Sequence, residues 1–157
     1  MVALNEYFGW YYSGALAAVT PLSSFRARRV MLDGMERIRI RTAGGKPLIL
    51  SELGAGAKYG WHAPEGELVA YSEELQALIY RRQLEMVRRQ TQVAGMSPWV
   101  LNDFRSPMRL YQGVQDYWNR KGLLDDQGHR KLAFGILRAA YGSWASLPVS
   151  PLAGGSL

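Results

Sequence analysis

A lone carboxylate, Glu52, ends an apolar run of strand length, Lys46-Pro47-Leu48-Ile49-Leu50-Ser51-Glu52-Leu53-Gly54, and further glycines follow at Gly56 and Gly60. In parallel α/β architectures, side chains at the C-terminal ends of strands point into the mouth where the βα loops gather. A glutamate there is placed for chemistry rather than packing, unless it only faces solvent as most carboxylates do. The chain has no cysteine, which removes disulfides and thiolate ligands, and its two histidines, His62 and His129, are too few for a His-rich metal site. No metal and no cofactor is expected.

The elements that must position Glu52 read as three strand-then-helix units. The first is the short apolar run Val2-Ala3-Leu4-Asn5, the aromatic loop Tyr7-Phe8-Gly9-Trp10-Tyr11-Tyr12, and a helix over residues 24–41 with Ala27, Met31, Met35 and Ile38 on one stripe. The second is the strand at residues 48–51, a Gly-rich loop, and a helix over 72–90 that buries Leu75, Leu78, Ile79 and Met86. Ser72 is its expected N-cap, with Glu73 and Glu74 complementing the helix dipole. The third runs from a strand over residues 97–104, with Trp99 near its start, through a long polar loop to a helix over 130–141 that buries Ala133, Ile136, Leu137 and Ala140. Pro and Gly punctuate a tail from Ser143 onward, so the division is residues 1–142 and a tail at 143–157. Repeated βα units imply parallel strands, but three are too few for a closed (β/α)₈ barrel, which takes about 250 residues. Either the chain is a small open α/β domain or it is the end of a larger barrel, and a long loop after every strand suits the barrel mouth better.

At 157 residues, 48% hydrophobic and 20% charged, the chain is of globular composition and single-domain size. Its net charge of +6 invites a polyanion partner. The arginines concentrate, however, at Arg26, Arg28, Arg29, Arg37, Arg39 and Arg41 and at Arg81, Arg82, Arg88 and Arg89, within segments of helical pattern. Solvated helix faces account for them, so no nucleic acid is expected. No apolar run approaches the ~20 residues of a membrane span, and no signal-type segment opens the chain.

Four blocks in order carry a resemblance. They are Leu4-Asn5-Glu6-Tyr7-Phe8-Gly9-Trp10-Tyr11, the Lys46 to Gly54 block, Trp99-Val100-Leu101-Asn102-Asp103-Phe104, and Asn119-Arg120-Lys121-Gly122-Leu123 with Lys131-Leu132-Ala133-Phe134 after it. Together they resemble the C-terminal part of the catalytic barrel of family-2 glycoside hydrolases, the β-glucuronidase and β-galactosidase group. The resemblance implies that the three units are strands six to eight of a TIM barrel, incomplete as given, acting on a carbohydrate substrate. It implies Glu52 as the nucleophile of a retaining β-glycosidase, a group that must stay ionised and so calls for hydrogen-bond donors beside it.

By the same resemblance Tyr7 is the tyrosine that approaches the nucleophile, Tyr11 belongs to the pocket wall, and Trp99 floors the sugar site. Asn119 and Lys121 match the Asn-x-Lys motif with which β-glucuronidases grip the sugar carboxylate, a charge-assisted contact. The stretch from Arg105 to Trp118 is longer than in typical β-glucuronidases, which leaves β-galactosidase-type specificity open. Asn5-Glu6 imitates the family's acid/base dipeptide, but it sits in the strand-six block rather than at the end of strand four. The acid/base glutamate, the earlier strands and the β-sandwich domains are therefore expected outside this chain, with the native N-terminus missing and the isolated chain inactive. The remaining alternative is a non-catalytic basic module.

Overall fold

In the computed structural model, residues 1–11 and 24–145 are described. Tyr12, at the end of the aromatic loop, and residues 146–157 of the expected tail fall outside them. Three parallel strands form one sheet in sequence order: β1 (Val2–Glu6), β2 (Leu48–Leu53) and β3 (Val93–Pro98). Helix α1 (Ser24–Gly34) lies between β1 and β2 in the chain, and α2 (Glu73–Arg88) lies between β2 and β3. After β3 comes an antiparallel ribbon of β4 (Phe104–Arg105) and β5 (Trp118–Asn119), then α3 (Leu132–Ala145). Parallel strands joined through helices are what repeated strand-helix units predict.

The central strand explains the sheet. Leu48, Leu50 and Leu53 of β2 are all at most 1% exposed and pack with Ile40, Val87, Val93 and Met96. Burial of each such side chain contributes about 1.5–3 kcal/mol, so the apolar run is committed to the middle of the sheet. In the β1–β2 register, Asn5 lies opposite Glu52 and Glu6 opposite Leu53, which brings both strands to an end at the same level. Helix α2 starts as expected: the Ser72 hydroxyl accepts from Leu75 N at 3.2 Å, and Glu73 and Glu74 occupy the first turn. Leu75, Ile79 and Met86 are buried, but so are Gln76, Tyr80 and Gln83 on the same helix, polar residues absent from the expected stripe.

Three elements depart from expectation. The third strand lies at Val93–Pro98 rather than 97–104, so Trp99 follows the strand instead of opening it. Val-Ala-Gly-Met-Ser-Pro has no strong apolar alternation, and pairing with β2 overrides that weak local signal. The first helix stops at Gly34, followed by a 3₁₀ turn at Met35–Arg37, and Ile38 is already extended. There tertiary bonds win over helical spacing: Gln90 accepts from Ile40 N and donates to Ile38 O, and Gln92 accepts from Thr42 N. Leu32, outside the expected stripe, is buried beside Met35 and Ile79. The last helix begins at Leu132 and runs through Ser143 and Trp144 to Ala145, past the point where the tail was expected.

Candidate active site

The site is assembled where β1 and β2 end together. Beyond Glu6 the chain turns tightly, with Tyr7 O accepting from Trp10 N at 3.1 Å and from Tyr11 N at 3.4 Å. Gly9 sits at φ +83°, and a Cβ there would lie 2.9 Å from Leu32 Cδ2, so the turn needs glycine for both conformation and space. This turn throws Tyr7 and Tyr11 to the same side, with ring centroids 5.2 Å apart. On the neighbouring strand Glu52 is partly exposed, and the Tyr7 hydroxyl donates to its Oε2 at 2.7 Å. Burial, reinforced by that bond to Glu52, pushes the Tyr7 phenol well above its ordinary value, so it stays a donor throughout the neutral range.

Lys121 completes the group. Its Nζ donates to the Tyr11 hydroxyl and stands 3.8 Å from the Tyr7 ring centroid and 4.5 Å from that of Tyr11. The residue is 6% exposed, and among the described residues no carboxylate pairs with it. Burial lowers its ammonium below the ordinary lysine value, opposed by Tyr11 and by the charge of Glu52. Asn119, also buried, turns its Oδ1 to the Lys121 backbone N–H at 3.1 Å, which leaves its amide N–H groups free of that bond. Trp99 adjoins through its backbone, donating to Leu53 O at 2.8 Å, and its half-buried ring packs edge-on to Phe104. Tyr7, Tyr11, Glu52 and Lys121 thus form one contiguous cluster, with Asn119 behind Lys121 and Trp99 beside the end of β2.

A second charged cluster supports the first from below. Asp103 Oδ1 accepts from Lys131 Nζ at 2.7 Å and from Gly122 N at 2.8 Å, and Arg120 lies 3.4 Å from Oδ2. Lys131 also donates to Ala57 O at 2.6 Å. Burial opposes both charges, raising the Asp103 carboxyl and lowering the Lys131 ammonium from their ordinary values. A Cβ at Gly122 would collide with the backbone of Asp103 and Leu124, so only glycine lets the segment after Lys121 pass here. Glu73 ties the same loops from the helix side, accepting from Gly60 N and from Leu132 N, each at 2.8 Å.

Sequence reasoning missed two residues at the rim. Tyr71 holds φ +64°, rare for a bulky residue, with its ring 5.0 Å from Trp10 and 5.9 Å from Tyr111. Arg109, on the loop before β5, is close enough for its charge to act on both Lys121 and Tyr71: it adds to the burial that lowers the Lys121 ammonium and opposes the burial that raises the Tyr71 phenol. The unusual length of the loop after Arg105 was the only sequence signal for Arg109, and no sequence signal pointed to Tyr71. Glu6 faces the other way: it is 2% exposed, accepts from Phe8 N, and burial pushes its carboxyl up to about 7. Among the described residues no group of three or more His, Cys, Asp or Glu is arranged to hold a metal ion, and no helix is long and apolar enough to cross a membrane.

No protein-family model matches the chain. A β-glucuronidase of Paenibacillus borealis is 28% identical over 150 residues, which are 94% of this chain and 22% of that relative. Among solved structures, a family-2 β-galacturonidase of Eisenbergiella tayi bound to galacturonate superposes with a TM-score of 0.64 at 26% identity, over 90% of this chain and 23% of its own. The chain resembles the family-2 glycoside hydrolases. The β-glucuronidase of Bifidobacterium dentium, complexed with coumarin-3-O-glucuronide, is 34% identical over 94% of this chain and 21% of its own, with a TM-score of 0.58. The chain spans only about a fifth of the length of the family-2 relatives it resembles.

Proposed function

We propose that this chain forms strands six to eight of a family-2 barrel and supplies the nucleophile, Glu52, of a retaining β-glycosidase that acts on uronosides. Residues 1–142 are the barrel portion in this reading, and the last helix carries on to Ala145 beyond that boundary. One observation carries it: the Tyr7 hydroxyl donates to Glu52 Oε2 at 2.7 Å, while the buried Lys121 ammonium lies against the same tyrosine ring without a carboxylate of its own. A charge-assisted bond from Tyr7 steadies the carboxylate that attacks the anomeric carbon. Lys121, the amide of Asn119 and the nearby Arg109 gather positive charge and donors for a sugar carboxylate. Trp99 offers a ring face at the pocket floor, and Tyr11 lines its wall.

Retention needs a second carboxyl about 5–5.5 Å from the first, to protonate the leaving oxygen. Glu6 has an attractive acidity for that task but the wrong address. It is buried on the face opposite Tyr7, because successive strand residues alternate sides. The acid/base group therefore comes from outside this chain, as do the earlier strands and the β-sandwich domains of the complete enzyme. The uronoside reading rests further on the relatives, which are named as β-glucuronidases and a β-galacturonidase.

The test is a chimera in which this chain replaces the matching segment of the Paenibacillus borealis β-glucuronidase. A 2-fluoro-uronosyl fluoride should label Glu52, and Glu52→Gln should abolish both labelling and turnover while the chimera still folds. The chain on its own should hydrolyse no nitrophenyl glycoside. A label on another residue, or turnover by the isolated chain, would refute the assignment.

A further inference from the structure

We propose that Glu6 and Gln83 form a positioning device that holds the Phe8 peptide groups from behind and so aims the Tyr7 hydroxyl at Glu52. The role of Tyr7 itself belongs to the reading above, on which this inference rests; the device is an addition to it.

The geometry begins with strand alternation. Tyr7 points to the site, so Glu6, one residue earlier, points into the layer between sheet and helices. There its Oε1 accepts from Phe8 N, while from α2 the Gln83 amide donates to Phe8 O at 3.3 Å. Tyr7 O is taken by Trp10 N and Tyr11 N. Every polar group of the two peptides that follow Tyr7 through Phe8 is thereby either held by a buried side chain or spent in the turn, apart from Gly9 N. With the peptide plane after Tyr7 held on both its C=O and its N–H, rotation about the Tyr7 Cα–C bond is opposed, which favours one exit direction for its ring.

An ordinary structural pair would be fully matched, and this one is not. Both Glu6 Oε2 and Gln83 Oε1 are buried without a hydrogen-bond partner. Two unmatched buried acceptors on two residues that grip one peptide are unfavourable, because each has lost its water without gaining a donor. A proton on Glu6 converts one of the acceptors into a donor, and burial favours that proton by pushing the carboxyl to about 7. The neutral acid keeps an oxygen for Phe8 N, and so does a glutamine. A cheap apolar residue at either position would pack as well and would leave the Phe8 peptide unheld.

The device can be read on the chain itself, without turnover. Tyrosine labelled with ¹³C at Cζ reports the hydrogen bond of each phenol, with Tyr7 assigned by Tyr7→Phe and its unbonded position given by Glu52→Ala. Glu6→Gln should leave the Tyr7 signal at its wild-type position. Glu6→Ala and Gln83→Met should each move it in the direction set by Glu52→Ala, while Tyr59 and Tyr141, distant from the turn, stay in place. An unmoved Tyr7 signal in both truncations would overturn the proposal. So would a shift of all tyrosines together, since that means general loosening. Failure of both variants to fold would assign the pair to the core and overturn it as well. The outcome is independent of Glu52's chemistry: if the fluoro-sugar labels another residue, the glycosidase reading fails while the Tyr7 signal still decides this one.

Discussion

Two lysines of this chain are buried almost equally, Lys131 at 1% exposure and Lys121 at 6%, yet they are treated in opposite ways. Lys131 is surrounded: Asp103 neutralises it, and Ala57 O and Arg120 O accept from it. Lys121 faces two tyrosine rings and one hydroxyl, with Arg109 close enough to repel it. The first arrangement is complete without any further molecule. The second leaves a positive charge whose natural complement is an anion, and aromatic faces compensate it only in part, by about 0.5–2 kcal/mol each. In the proposed reading, saturated charge marks scaffold, and unsaturated charge beside Glu52 is where a sugar carboxylate would sit.

Removing a partner from each cluster should separate them most sharply. Asp103→Ala strands Lys131 in the interior and should cost about 3–5 kcal/mol in urea unfolding. Lys121→Met removes an unpaired ammonium and replaces it with a flexible apolar chain, so stability should change by no more than about 1 kcal/mol. Equal losses in the two variants would erase the distinction.

In the chimera the ranking should invert for catalysis. Lys121→Ala should lower kcat/KM for a nitrophenyl glucuronide by about 2–5 kcal/mol of transition-state stabilisation, the range for truncating one partner of a buried charged contact. Activity on the matching neutral glycoside should hold. Arg109→Ala should act in the same sense but more weakly, by about 1 kcal/mol, and its effect should shrink with added salt because the residue is partly exposed. A uniform loss on charged and neutral sugars would make the motif architectural.

A third charge, on Glu6, sharpens the comparison through pH. Its carboxyl is raised from an ordinary 4.5 to about 7 by burial, so the folded state keeps a proton that the unfolded chain releases. Its contribution is fully present below about 4.5, is lost as pH rises toward 7, and is gone above that, a span worth roughly 3 kcal/mol at 1.36 kcal/mol per pH unit. Glu6→Gln should therefore gain on wild type steadily between pH 5 and about 7 and level off above that, measured by urea midpoints. Parallel pH curves for the two proteins would show that Glu6 is ionised in the fold.

The sequence carried the parts of this picture that depend on short spacings. The apolar run ending on Glu52, the aromatic turn and the Asn-x-Lys triplet are each local, and the alternation along β1 alone separates Glu6 from Tyr7. What it hid depends on partners remote in the chain. Strand β3 is a strand because β2 lies beside it, and residues 38–42 leave the helix because Gln90 and Gln92 claim their backbone. Asp103 and Lys131 appeared in quoted blocks, but nothing in either block says that they meet. Tyr71 at positive φ and Arg109 at the rim belong to loops, whose paths follow from what they pack against.

The bond from Lys131 to Ala57 O joins groups 74 positions apart, and that from Lys131 to Asp103 joins groups 28 apart. During synthesis the loop after β2 and the turn around Asp103 leave the ribosome well before Lys131 does. Until then Asp103 has no ammonium to face, and burying it is unfavourable. The Asp103 cluster behind the candidate site must therefore wait for α3. A nascent chain arrested before residue 131 should hold its sheet loosely, and the release of α3 should be the event that closes the structure.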